Sequence, residues 1–392
     1  MAINPAKKRP EPNRAAPPST RLRPRAAPAS PDELRAIYES CSRFLTGTGR
    51  RTTTSLLATI PDDTVTDMYG AGGIVAELEQ EIARILKKDA ALFMITGTMA
   101  QQAALRIHAD RRSSRNIVFH PQCHLDVREE RAYERLHGLV AVTCGGHATP
   151  LSAELLESIH ESVAALLVEL PQRDLGGTLP EWDELVAQVA WARDRGAATH
   201  LDGARLWEAA PFYRVTANKD IADIADLFDT VYVSFYKGLG AIAGCCVAGD
   251  TETIDELKLW RIRHGGRAYG LWPYAASAKS VLALRGNRFD DYYERAVTIA
   301  KSLARVDGIE ILPFPVQSPM MHVRVRGNCD KVFASMVDVA RRDGVWMFGG
   351  AYANEGPSLQ RFEFNVGDAT MDFSVKEIRD LFQRIVPVPR KK

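Results

Sequence analysis

Seven short apolar runs between residues 90 and 249 constrain this chain more than any other feature: "AALFMIT", "NIVF", "LVAVT", "VAALLVEL", "AATHLD", "TVYVSF" and "AIAGCCVAG". Runs of this length, rich in Val, Ile and Leu, are the mark of strands buried on both faces of a sheet. Helical patterns separate them. "IVAELEQEIARILKK" puts Val75, Leu78, Ile82, Ile85 and Leu86 on one helical face, "TMAQQAALRIHAD" continues as a helix after Gly97, and "PEWDELVAQVAWARDRG" is another between two of the runs. Strands alternating with helices predict a doubly wound α/β layer. Beyond Thr251 come longer helical stretches, then a smaller α+β unit with strands at "MMHVRVRG", "VWMF" and "RFEFNVG" and a closing helix in "SVKEIRDLFQRI". The expected divisions are a tail over 1–30, a large domain over 31–270 and a small C-terminal domain over 271–392.

At 392 residues, 46% hydrophobic and 25% charged, the composition is that of an average soluble protein. No apolar stretch reaches the roughly 18 residues needed to cross a bilayer. The start, "MAINPAKKRPEPNRAAPPST", is basic but has no apolar core of the kind a secretory signal needs, so a cytoplasmic location is expected. The six cysteines show no CxxC spacing, which suggests free thiols and neither a zinc site nor a disulfide framework. The adjacent Cys245 and Cys246 should point to opposite faces of a strand. Residues 1 to 30 hold seven Lys/Arg against one Glu, together with seven prolines, which is too little apolar surface to offset the entropy of ordering. A solvated tail is the expectation there. No aromatic residue interrupts the basic run to stack on bases, so neither nucleic acid nor a membrane is expected as a partner.

One lysine stands out against this frame. "VSFYKGLGAIAGCC" places Lys237 in a glycine-rich bend between two core strands. Burial there disfavours the ammonium and leaves a neutral amine, the nucleophile for a carbonyl carbon. "MITGTMAQ" runs from a strand through Thr96, Gly97 and Thr98 into a helix, whose free N–H groups suit a phosphate. "ATHLDGARLWEAA" sets Asp202 at a strand end, where open α/β sheets place their ligands, with Arg205 three residues on. A Schiff-base lysine, an acid for a pyridine nitrogen and a phosphate cradle are the three supports that pyridoxal 5'-phosphate (PLP) requires, so PLP is the expected cofactor.

"YGAGGIVAELEQEIARILKKDAALFMITGTMAQQAAL", "HLDGARLWEAA" and "VSFYKGLGA" resemble the threonine aldolase/aromatic amino acid beta-eliminating lyase family of fold type I PLP-dependent enzymes, over roughly residues 45 to 385. The resemblance implies a PLP-dependent transferase-like large domain, with a mainly parallel seven-stranded sheet between helices, and a smaller α+β C-terminal domain. It also implies an amino acid substrate and a homodimer or homotetramer with shared active sites. By position, Lys237 matches the Schiff-base lysine, Asp202 the pyridine partner, and Gly97 and Thr98 the phosphate turn. Arg205 matches the arginine beside the cofactor's phenolic oxygen and the substrate, His124 the histidine over the pyridine ring, and Arg361 the arginine for the substrate carboxylate. His124 is then a candidate base for the β-hydroxyl proton, with His120 as its rival.

The chain departs from the family pattern in two places. Aldolases follow the glutamate of the strand matching "LLVEL" with Asn, Thr and His, whereas this chain reads Glu169-Leu170-Pro171-Gln172. Gln172 cannot act as a base near neutral pH. In "LWRIRHGGRAYGLWPY", matching the segment that a neighbouring subunit lends to the phosphate, the basic positions fall at Ile262 and Tyr269, with Arg261, Arg263 and Arg267 close by as substitutes. The leading expectation is retro-aldol cleavage of a threonine-like β-hydroxy-α-amino acid to glycine and an aldehyde. The alternatives are a racemase, β-eliminating lyase or transferase on the same cofactor, or a binding protein that keeps only the fold.

Overall fold

The computed structural model describes residues 29–347 and 352–387, so most of the basic tail and Phe348 of "VWMF" lie outside the described residues. In chain order its strands are β1 (Arg43–Phe44), β2 (Ala90–Met94), β3 (Asn116–Phe119), β4 (Val140–Thr143), β5 (Ala165–Glu169), β6 (Ala198–Gly203), β7 (Thr230–Ser234), β8 (Cys245–Gly249), β9 (Ile309–Leu312), β10 (Met320–Arg326), β11 (Val345–Trp346), β12 (Tyr352–Gly356) and β13 (Leu359–Asn365). The seven apolar runs form one sheet in the order β2-β8-β7-β6-β5-β3-β4. From β7 through β6, β5 and β3 to β4 all pairs are parallel, while β8 is antiparallel to both β7 and β2. The chain turns straight back after β7 through residues 235–244, the bend that carries Lys237.

Both faces of the sheet are covered, which is why its strands read as unbroken apolar runs. The adjacent cysteines show the division. Cys246 packs with Phe93 and Val233 in the core that includes Val75, Leu78 and Ile82 of the helix Gly73–Leu86. Cys245 packs with Met94 and Tyr232 in a second core, with Ala100, Ala103 and Ile107 of the helix Gly97–Arg112. All six cysteines are buried, and none forms a disulfide among the described residues.

A second, antiparallel sheet, β12-β13-β10-β9, makes the smaller unit. Its Val323, Val325, Phe362 and Phe364 belong to the same large core as Ile299 of the helix Phe289–Leu303, Val332 of Cys329–Asp343 and Ile378 of Val375–Ile385. The other face carries His322, Arg324, Arg361 and Glu363 in cross-strand pairs. The loop after β5 packs on this unit, with Leu179 N–H donating to Gln317 (3.0 Å) and the Ser318 hydroxyl donating to the Gly177 carbonyl (3.1 Å). The N-terminal segment joins the same unit. β1 pairs in parallel with β11, and Gly47 N–H donates to the Asn365 carbonyl at 2.7 Å. Among the described residues no helix is long and apolar enough to cross a membrane.

Candidate active site

The parallel strands bring their C-terminal ends to one edge, and the site grows from that edge. Glu169, Asp202 and Tyr232 occupy neighbouring register positions on β5, β6 and β7, so their side chains share a face. Ser234 lies two residues beyond Tyr232 on that face. The helix Gly97–Arg112 covers it, and its first turn delivers the second support. Thr96 caps the helix, accepting from Met99 N–H. A Cβ at Gly97 would lie 2.1 Å from the Tyr232 hydroxyl, so only glycine lets this turn sit against the strand. One turn on, Gln101 donates to an Asp202 oxygen at 3.0 Å, while the other oxygen accepts Ala204 N–H at 3.1 Å. Asp202 is thereby buried with both oxygens engaged.

A cavity of about 240 Å³ opens between the sheet edge and the smaller unit. Lys237, Arg205 and Glu208 line it from one side, Thr48 and Arg51 from the N-terminal segment, and residues 365–367 from the end of β13. Burial, and then the charges of Arg205 and Arg173, push the Lys237 amine down to about 8. Its Nζ sits 4.9 Å from the ring centre of Tyr236. Burial pushes Glu208 up to about 7, with Arg205 opposing it. A Cβ at Gly238 would come within 2.4 Å of Glu208 Oε1, so a glycine after the lysine lets the bend close onto this carboxylate.

The two candidate histidines separate on their partners. His120 Nε2 lies 3.1 Å from the Gly146 carbonyl and 2.9 Å from that of Thr149, and its Nδ1 accepts Gln122 N–H at 3.0 Å. Both nitrogens are bound to backbone, which makes His120 an anchor of its loops. His124 opens a short helix, donates its backbone N–H to Glu169 (3.0 Å) and places Nδ1 3.0 Å from Glu129. Glu169 is the knot here. It also accepts Arg173 N–H (3.0 Å) and the Gln172 side chain (3.2 Å), and burial followed by the neighbouring Asp202 charge pushes it up to about 7. Gln172 further donates to the Gln122 carbonyl at 3.1 Å, so it braces the loop that presents His124.

The structure thus gathers Lys237, Arg205, Asp202, Gly97 and His124 around one sheet edge. Of these, Lys237 and Arg205 line the cavity, while Asp202, Gly97 and His124 are not among the described residues that do so; nor is Arg361, which pairs with Glu355 at 3.2 Å. Arg173 and Glu363, 2.8 Å apart and nearly buried, escaped the sequence reading. Burial works to raise Glu363, but Arg205 and then Arg173 hold it below the usual carboxylate range. Arg261 lies buried in its own chain, donating to the Phe93 carbonyl at 2.9 Å, which corrects its reading as a substitute contact for a neighbouring subunit. Arg263 and Arg267 lie over Trp260 and Tyr69, at 4.7 and 5.1 Å from the ring centres.

The sequence model of the beta-eliminating lyase family matches residues 47–326. The chain belongs to this family. A solved chain from Listeria monocytogenes EGD-E, described as a candidate L-allo-threonine aldolase, is 35% identical, covers 90% of this chain and 98% of its own, and superposes with a TM-score of 0.84. Low-specificity L-threonine aldolase 1 of Arabidopsis thaliana is 26% identical over 65% of this chain and 73% of its own length. An uncharacterized Caenorhabditis elegans protein, R102.4, is 31% identical over 60% of this chain, which spans 58% of that protein. A structure of SPT with PLP, 16% identical with a TM-score of 0.61 and covering 91% of this chain, shares the fold alone. The architecture is that of the fold type I PLP-dependent enzymes.

The site fits the cofactor of that fold. The buried Ser234 hydroxyl has no hydrogen-bond partner among the described residues. It lies two residues along β7 from Tyr232, against which the Gly97 turn packs; a phosphate would be held at that turn, while Asp202 would face the ring nitrogen and Lys237 the aldehyde. Changing Gly97 to Ala is expected to cost roughly 1–3 kcal/mol of stability by overpacking and to weaken PLP binding by about 10-fold or more, since 1.4 kcal/mol is tenfold. Thermal melting and a PLP titration followed by absorbance would check both.

Proposed function

We propose that this family member is a PLP-dependent lyase of amino acids that cleaves a β-hydroxy-α-amino acid to glycine and an aldehyde. The observation that carries the reading is a half-buried lysine, its amine pushed down to about 8 by burial and the charges of Arg205 and Arg173, lining one cavity together with Arg205. PLP, when bound, supplies the electron sink that lets a bond at Cα break. Lys237 offers the amine that holds the cofactor. Arg205 offers a planar fork for the substrate carboxylate, with Arg361 as its expected partner once released from Glu355. His124 takes the proton of the β-hydroxyl, the role a base must fill for an aldehyde to leave. Gln172 has no basic atom to share in that step.

A second copy of the chain is the proposed partner. Tyr69 and Tyr269 lie edge to face at 5.3 Å, both exposed, on the side where the family pattern places a neighbouring subunit.

The test is a panel of amino acids in D₂O, including L-threonine, L-allo-threonine, phenylserine, serine and alanine, given to the PLP-loaded protein and followed by proton NMR. Glycine together with a free aldehyde is the expected result. Exchange at Cα or a keto acid, without aldehyde, would overturn aldol cleavage in favour of racemase, transferase or eliminating chemistry.

A further inference from the structure

Beyond the lysine and its neighbours, the structure holds one more ordered dyad at the sheet edge. His124 Nδ1 lies 3.0 Å from Glu129 Oε1, and Glu129 is buried. Its other oxygen accepts from Gln102 at 3.4 Å. Gln101 and Gln102 thus aim consecutive side-chain amides from one helix, the first at Asp202 and the second at Glu129, and both residues are 1% exposed. The chain bends hard to turn Glu129 inward. The next two residues, Glu130 and Arg131, adopt left-handed φ values of 51° and 55°, a conformation that non-glycine residues avoid, and both point to solvent.

We propose that Glu129 is the positioning residue of this site, fixing the tautomer of His124 so that Nδ1 carries the proton and Nε2 is left as the free acceptor. A carboxylate flanked by an amide donor can only accept, so the hydrogen between it and the ring belongs to Nδ1. The backbone bond from His124 N–H to Glu169 holds the other end of the residue, and the ring is constrained at both. The consequence for the reaction rests on the reading of His124 as the base of an aldol cleavage. Glu129 would then orient that base and stabilise it once it has taken the proton, as a carboxylate behind a histidine does in hydrolytic triads.

The charged and titratable groups around the dyad come from several elements. His124 acts on Glu169 at the end of β5, and Asp202 on β6 acts on Glu129. Glu129 in turn acts on Tyr232 of β7 and on Tyr236 beyond it. Burial raises Glu129, and its bond to His124 opposes that rise. A Gln in place of Glu129 keeps the shape and removes the charge.

The experiment is long-range ¹H–¹⁵N NMR of the ¹⁵N-histidine-labelled, PLP-loaded protein, with His124 assigned by loss of its signals in His124→Asn. The wild-type spectrum is expected to show His124 protonated on Nδ1 when neutral; protonation on Nε2 overturns the proposal without any variant. In Glu129→Gln the signals should become those of mixed tautomers. The pH profile of kcat/KM should change with the loss of the carboxylate, and kcat should drop about 10²-fold. Glu129→Asp should restore most of the tautomer preference. If Glu129→Gln keeps the wild-type tautomer, pH profile and kcat, the proposal is wrong. Should His124→Asn retain full kcat, the role of His124 as base fails instead, and the tautomer measurement still judges the dyad.

Discussion

Changing Lys237 to Ala should abolish the near-ultraviolet and visible absorbance that PLP acquires on binding, and lower turnover by at least about 10³-fold, since it removes the amine that holds the cofactor. The pH dependence makes the assignment sharper. With the amine pushed down to about 8, about one lysine in eleven is neutral at pH 7, against about one in several thousand for an ordinary lysine. Borohydride trapping of PLP on the protein should therefore rise with a midpoint near pH 8 and label Lys237. A midpoint above 10 would mean that the lysine is solvated. Stability should respond with a definite sign. A group whose folded pKa lies below its unfolded value loses its favourable contribution as pH falls through the folded value, so below pH 8 the cofactor-free protein carries an unfavourable, half-buried ammonium. The Lys237→Ala protein, without PLP, should then melt higher than the wild type at pH 7, and the gap should close above pH 10.

Asp202→Asn is the second large effect. Both carboxylate oxygens accept, one from Gln101 and one from Ala204 N–H, so an asparagine must turn its own N–H₂ toward one of these donors. The Gln101 amide can flip to accept that N–H₂, so the pairing survives at the cost of a charge-assisted bond, while the charge that would face the cofactor's ring nitrogen is lost. We expect kcat to fall by about 10²–10³-fold, with a lower Tm and a shifted PLP absorbance maximum. An unchanged kcat in a folded Asp202→Asn protein would show that ring protonation does not depend on this residue.

The parts of the site that were legible in the sequence are those fixed locally. Lys237, Asp202 and Gly97 each follow an apolar strand within a few residues, so period and punctuation suffice to place them at strand ends. What the sequence hid depends on long-range register. Gln101 and Gln102 read as surface residues of a polar helix, yet they are almost fully buried against carboxylates from other elements. Glu208 reads as one more solvated helix position until the fold closes Lys237 and Gly238 over it. Arg173 and Glu363 lie 190 positions apart, and no local pattern announces their pairing. β1 and β11 are two residues each, too short for any periodicity to show. His120 and His124 look alike on paper and differ only in what surrounds their ring nitrogens.

The reversal of β8 bears on how the cavity can open. Most ligand-bearing loops of a doubly wound sheet run from a strand into a helix, and can ride with that helix when it shifts. The Lys237 loop instead returns directly into the neighbouring strand, so the ladders of β7 and β8 clamp it on both sides. The opposite wall, residues 365–367, hangs from the smaller sheet and from the Gly47 contact of the N-terminal segment. Any movement of the smaller unit would change the width of the chamber while the lysine stays still. Its amine is the fixed jaw of a vice, and substrate size would be gauged by how far the other jaw travels.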